Sequence, residues 1–259
     1  MKTRILSGII LLPLLAVIYF RGPLLWAAGF FIALAGVSEF YRGFKQIDIH
    51  PSRWIGWISA AALYGLAIFG NGLHMFLLWF FAVVALSLLY LFKIEERQLA
   101  DGMATILGVF YVVFFSFHVV LIDQTGLGHL LWLVVLTAFG TDIMAYFTGY
   151  FFGKHKLCPK ISPKKTIEGA IGGIAGSVIL CMLFGYLLSE EPIIHFILIG
   201  FFGSIVAQAG DLTASIFKRK MGIKDYGNLI PGHGGILDRF DSVLFTAPFV
   251  YYYIMLVIF

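Results

Sequence analysis

Between Gly210 and Ser242 the chain reads GDLTASIFKRKMGIKDYGNLIPGHGGILDRFDS. Cations (Lys218, Arg219, Lys220, Lys224, Arg239), carboxylates (Asp211, Asp225, Asp238, Asp241), His233 and a cluster of glycines are packed together. That inventory suits the handling of phosphate beside a metal ion. Asp211 closes an apolar run, and Asp142 lies within another, FGTDIMAYFTGYFFG. A carboxylate in or beside a membrane is costly and marks a partner or an ion; the plain alternatives are a helix end in headgroup water for Asp211 and a bond to a neighbouring helix for Asp142. Asp238 and Asp241 share a face if the last helix begins near them. Asp241-Ser242 is also an ordinary helix cap. Counted with Asp211 and His233, the pair reads better as hard oxygen ligands for Mg²⁺. Pro231-Gly232-His233-Gly234-Gly235 cannot be regular helix, and its glycines let backbone N–H groups approach an anion.

A second polar stretch, GKHKLCPKISPKKT from Gly153 to Thr166, carries five lysines. Attraction to an anionic membrane surface accounts for Lys154, Lys156 and Lys160. Pro163 stiffens the approach to Lys164 and Lys165, one of which is expected at a phosphate, and Thr166 is placed to cap the following helix. Gly169/Gly173 and Gly172/Gly176 form two overlapping small-xxx-small patterns, which signal helix packing. His74, His118, His129 and His195 read as structural. Cys158 and Cys181 have neither disulfide nor zinc spacing.

These residues must be positioned by membrane helices. Of 259 residues, 60% are hydrophobic and 12% charged, which excludes an ordinary soluble domain. The basic residues are spread over several short loops, which favours a membrane surface over nucleic acid as the partner. About 20 apolar residues cross a bilayer core. Such runs fall at roughly 5–20, 24–40, 54–70, 73–92, 103–122, 129–150, 169–188, 193–210 and 242–259. The expected fold is an all-α polytopic integral membrane protein of about nine helices. The N-terminal run has no A-x-A-like cleavage site and reads as a retained helix. With the N-terminus cytosolic, every basic residue but Arg21 falls on the cytosolic side. The two long loops, roughly 151–168 and 212–241, then form a cytosolic active site. A division into N-terminal helices 1–120 and a catalytic membrane region 121–259 follows from where these motifs lie.

The stretch Ser215 to Asp241, with its K-D-x-G and P-G-H-G-G-x-x-D-R-x-D core, resembles the signature of the phosphatidate cytidylyltransferases, or CDP-diglyceride synthases, of bacterial type. Gly210-Asp211-Leu212, the segment from Asp142 to Leu157, Ser162 to Gly169, and the start Met1 to Leu6 are similar to family segments too. Two positions depart from the pattern: Ala214 stands where the family usually has Glu, and Tyr226 where Ser is frequent. Loss of a carboxylate three residues from Asp211 is expected to weaken metal binding or a structural pair.

The resemblance implies transfer of CMP from CTP to phosphatidate, giving CDP-diacylglycerol and pyrophosphate for phospholipid biosynthesis. It implies Mg²⁺ held by Asp211 and Asp238 with Asp241 and Asp142 nearby, and it admits a second cation such as K⁺. Asp211, Asp238, Asp241 and Lys218 become the catalytic set. Lys164 or Lys165, Lys218, Arg219, Lys224 and Arg239 would meet the CTP phosphates or the lipid headgroup, with Ser215, His233 and Gly234 beside them. A homodimer in the cell membrane, its site facing the cytosol, completes the expectation. The alternatives are a related CTP-dependent enzyme acting on another lipid phosphate or alcohol, a transporter, and a non-catalytic membrane protein. A transporter should show paired broken helices or internal symmetry, and neither is evident.

Overall fold

The computed structural model describes residues 13–70, 72–230 and 234–259. Its elements in chain order are α1 (13–20), α2 (Gly22–Phe44), α3 (Arg53–Phe69), α4 (Leu73–Leu89), α5 (Leu99–Gln124), α6 (Gly128–Phe152), the strands β1 (Lys156–Cys158) and β2 (Ser162–Thr166), then α7 (Ile167–Leu188), α8 (Ile193–Lys220) and α9 (Leu237–Tyr253). Among the described residues, seven helices are long and apolar enough to cross a membrane, while α3 is apolar but shorter. The protein is therefore an all-α polytopic membrane protein. In lipid, backbone groups must be satisfied within the segment, and a helix does this wherever the apolar run is long enough. The start of the chain, Met1 to Leu6, lies outside the described residues.

The polar stretches depart most from expectation. Helix α8 does not stop at Gly210 but continues to Lys220, so Asp211, Ser215, Lys218 and Arg219 are helical rather than in a loop. It ends with Ile223 N–H bonding the Lys218 carbonyl (2.9 Å) and Gly222 N–H bonding that of Arg219 (3.3 Å). Gly222 has φ +68°, the left-handed position of a Schellman cap where glycine is favoured. Helix α9 begins at Leu237 rather than Ser242, which places Asp238 in its first turn. The lysine stretch is an antiparallel hairpin pairing Lys156 with Thr166 and Cys158 with Ser162.

The chain divides into two compact units: unit 1 is Met1–Thr125 with Lys218–Phe240, and unit 2 is Gly126–Phe217 with Asp241–Phe259. The core of unit 1 gathers Phe40, Tyr41, Leu63 and Phe117, all fully buried. Tyr41 Oη donates to the Thr105 carbonyl at 2.6 Å, so the buried hydroxyl is satisfied. Unit 2 is built on close backbone contact. A methyl added to Gly173 would lie 3.1 Å from the Thr141 carbonyl, and one on Gly169 would lie 2.8 Å from that of Ala145. The small-xxx-small pattern of α7 thus packs α7 against α6. A methyl on Gly200 would meet Val178 Cα at 2.7 Å, which brings α8 equally close to α7.

Candidate active site

In unit 1 the loop between α8 and α9 is organised around two buried carboxylates. Asp238, on the first turn of α9, accepts from Lys218 Nζ through Oδ1 at 2.8 Å. Its Oδ2 accepts the backbone N–H of Tyr226 at 2.8 Å and of Gly235 at 3.0 Å. The Asp238 side chain is 1% exposed and that of Lys218 13%. A charge pair this dry is costly unless its remaining lone pairs are satisfied, and the two backbone donors supply that. Lys218 Nζ also lies 5.4 Å from the centre of the Tyr226 ring, within cation–π range. Tyr226 itself is buried against Phe40, ring centres 6.0 Å apart. The unusual aromatic at this position therefore covers the Lys218 ammonium while its N–H binds Asp238.

The second carboxylate, Glu39 of α2, is 4% exposed. It accepts from Ile236 N–H at 3.1 Å and Leu237 N–H at 2.9 Å. These are donors that the first turn of α9 cannot satisfy internally. With Gly235 N–H on Asp238, three successive N–H groups of the glycine loop are bound to the protein's own carboxylates. Ile230 N–H bonds the Gly234 carbonyl at 2.9 Å and closes the turn. Gly234 has φ +86°, and a methyl there would also sit 2.9 Å from Asp238 Oδ2, so only glycine fits. Lys224 and Asp225 are exposed on the loop, and Arg219 is exposed at the end of α8. Arg239 is half-buried, and its Nε is buried with no hydrogen-bond partner among the described residues. His233, Gly232 and Pro231 lie outside the described residues.

In unit 2 the hairpin carries Lys165 to Asp211, and the two form an ion pair with side-chain exposures of 26% and 21%. The neighbouring lysines differ: Lys164 is exposed while Lys165, paired with Asp211, is half-buried. The hairpin's end is fixed by Thr166, whose Oγ1 accepts the Gly169 N–H at 3.1 Å and caps α7. Glu168 accepts Lys154 N–H at 3.0 Å and His155 Nδ1 at 2.6 Å. Ser242 Oγ donates to Asp142 Oδ2 at 3.3 Å, and Ser242 N–H bonds Asp241 Oδ1 at 2.8 Å. A methyl on Gly210 would stand 2.9 Å from the Asp241 carbonyl, so α8 crosses the start of this α9 segment beside Asp211. Ala214 is fully buried on α8 and Ser215 half-buried. A glutamate at 214 would place its charge on a face that here takes only a methyl group.

Among the described residues, no three His, Cys, Asp or Glu side chains converge as a metal site. Magnesium does not require such a cage, because it is commonly held by one or two carboxylates together with substrate phosphates and water. Asp211 and Asp241, and Asp142 bonded to Ser242, are the carboxylates of unit 2 that the sequence singles out. Asp238, expected with them from the sequence, has its oxygens bonded to Lys218 and to the loop backbone, as Asp211 is paired with Lys165. Glu39 is the residue that sequence reasoning missed: the rule that singled out Asp142 and Asp211, a carboxylate inside an apolar run, applies to it equally.

Against known proteins, the model of the cytidylyltransferase family matches residues 2–257. A phosphatidate cytidylyltransferase of Staphylococcus haemolyticus is 35% identical over 259 residues, covering 96% of both chains. That of Bacillus subtilis is 41% identical over 179 residues, covering 67% of this chain and 66% of the relative. That of Synechocystis is 47% identical over 132 residues, covering 49% of this chain and 44% of the relative.

Proposed function

The chain belongs to the cytidylyltransferase family, and we propose on that basis a Mg²⁺-dependent phosphatidate cytidylyltransferase whose site faces the cytosol. Family membership and the full-length relative support CTP-dependent synthesis of CDP-diacylglycerol by a membrane nucleotidyltransferase. The observation that carries the site assignment is the buried Lys218–Asp238 pair with Tyr226 over the ammonium: a fixed, poorly hydrated cation in the segment most characteristic of the sequence.

In this reading a phosphatidate phosphate oxygen attacks the α-phosphorus of CTP. The bond from that phosphorus to the bridging oxygen of the β-phosphate breaks, and pyrophosphate leaves. Phosphatidate is an anion near neutral pH and needs no strong general base. The obstacle is the meeting of two polyanions, so catalysis is positioning and charge neutralisation. Lys218, held in one place by Asp238, supplies fixed positive charge without reorganisation. Arg239, the exposed Lys224 and Arg219, and His233 by its place in the sequence, are the groups proposed to meet phosphate oxygens. Lys165 offsets the charge of Asp211, with Lys164 exposed next to it and Ser215 one turn along α8. Magnesium, when bound to Asp211 and Asp241 with Asp142 nearby, would neutralise charge on the transferring phosphates; a second cation such as K⁺ belongs to the same proposal. Orientation rests on the one-sided distribution of Lys and Arg. The working unit is a homodimer in the cell membrane, by family resemblance.

The test is incubation of the purified protein in detergent with CTP, Mg²⁺ and phosphatidate. Pyrophosphate release in step with CDP-diacylglycerol is expected. Release with a different lipid phosphate but not with phosphatidate would reject the substrate assignment; release with none would reject the enzyme reading.

A further inference from the structure

We infer that Glu39 is a positioning residue for nucleotide binding: it fixes residues 221–230 and 234–237, between α8 and α9, from the end of α2, at a distance in sequence that no motif of the loop reveals. Three observations in unit 1 meet at this side chain. First, its two oxygens are divided between Ile236 N–H (3.1 Å) and Leu237 N–H (2.9 Å), so it holds the start of α9 by both terminal donors. A carboxylate accepting backbone N–H groups at a helix start is a charge-assisted arrangement, favoured by the helix dipole. Secondly, the loop is shaped around it. A methyl on Gly227 would stand 2.6 Å from Glu39 Oε1, and one on Gly235 would collide with Oε2. Glycine at both positions is what lets the loop close over a carboxylate. Thirdly, neighbouring α2 residues hold the same loop by packing. A methyl on Gly43 would meet Met221 Sδ at 2.6 Å, and Phe40 packs on Tyr226.

Glu39 is buried and remote from solvent, so its part is indirect. By occupying the N–H groups of residues 236 and 237, it denies them to a phosphate and leaves anion binding to the side chains that the loop carries. Asp238 acts alongside it by taking Gly235 N–H. The two carboxylates thus hold the backbone that carries Lys224 and Arg239, and Asp238 holds the Lys218 ammonium directly. The inference rests on the reading of these cations as ligands of CTP.

The experiment compares Glu39→Ala and Gly227→Ala with Lys224→Ala, each assayed for the KM of CTP, the KM of phosphatidate and kcat, on protein shown monodisperse and cooperatively melting. Loss of a charge-assisted hydrogen bond at a buried site predicts a rise of roughly tenfold or more in the CTP KM for Glu39→Ala. The phosphatidate KM should stay within about twofold, because uniform damage to the fold would move both. Gly227→Ala, which displaces the carboxylate without removing it, should give the same selective rise, and it decides the matter if Glu39→Ala does not fold. Glu39→Gln, which keeps one acceptor, should recover part of the loss. A CTP KM raised by Lys224→Ala but unchanged in both Glu39→Ala and Gly227→Ala would overturn the inference alone. A CTP KM unchanged in all three would overturn it together with the assignment of the loop to the nucleotide. Equal rises for both substrates would also overturn it, leaving Glu39 a purely structural group.

Discussion

Replacing Asp238 by Asn keeps its shape and one acceptor but turns an amide toward Lys218. In the parent, Oδ1 binds Lys218 Nζ at 2.8 Å and Oδ2 binds two backbone N–H groups, with the carboxylate 1% exposed. Screening by water is therefore slight, and breaking such a pair by removing one partner costs about 3–5 kcal/mol. Asn can retain the Tyr226 and Gly235 donors through its oxygen, so the loss concentrates on Lys218. Because that lysine is proposed to act in the transition state, a loss near the lower bound, about 3 kcal/mol, lowers kcat/KM by roughly 10²-fold. Asp238→Ala also strands the two N–H groups and should be worse. Steady-state kinetics over a Mg²⁺ titration separates the roles. If Asp238 serves Lys218, kcat/KM falls while the Mg²⁺ requirement stays within about twofold, and Lys218→Met/Asp238→Asn is no worse than either single change, the non-additivity of residues acting as one unit. Near-normal turnover of Asp238→Ala would refute a role in the reaction altogether. A large rise in the Mg²⁺ requirement of Asp238→Asn would move the residue back among the metal ligands.

Lys165→Ala should lower kcat/KM by about tenfold or more while Lys164→Ala stays within about twofold, since only Lys165 meets Asp211; equal effects in the same pyrophosphate assay would show that the pairing is incidental. Orientation is open to cysteine labelling in a variant lacking Cys158 and Cys181. A thiol at Lys160, exposed on the hairpin, should react with an impermeant maleimide only from the cytosolic side, and one at Glu190 only from the other. The reverse pattern would turn the site outward.

The apolar helices were legible because hydropathy alone dictates them: every long run in the sequence is a helix over the described residues. What the sequence left open is where polar residues end a helix. Asp211 to Lys220 looked like a loop because charge follows an apolar run, yet nothing in those residues breaks a helix until Gly222, whose φ of +68° ends it. Charge marks where a helix leaves the bilayer; glycine marks where it stops. The early start of α9 depends on Glu39, 198 residues away from Leu237, and no local pattern encodes a partner so distant. The Lys164/Lys165 ambiguity had a similar origin. Adjacent lysines are equivalent in composition, and only the folded hairpin brings one of them, Lys165, to Asp211. The chemistry-bearing residue types were thus readable from the chain, whereas their pairing waited on backbone direction. Tyr226 makes the point from the other side: the sequence marks it only as a departure from the family pattern, yet its N–H binds Asp238 and its ring covers Lys218, so the local site is completed by the very residue that differs.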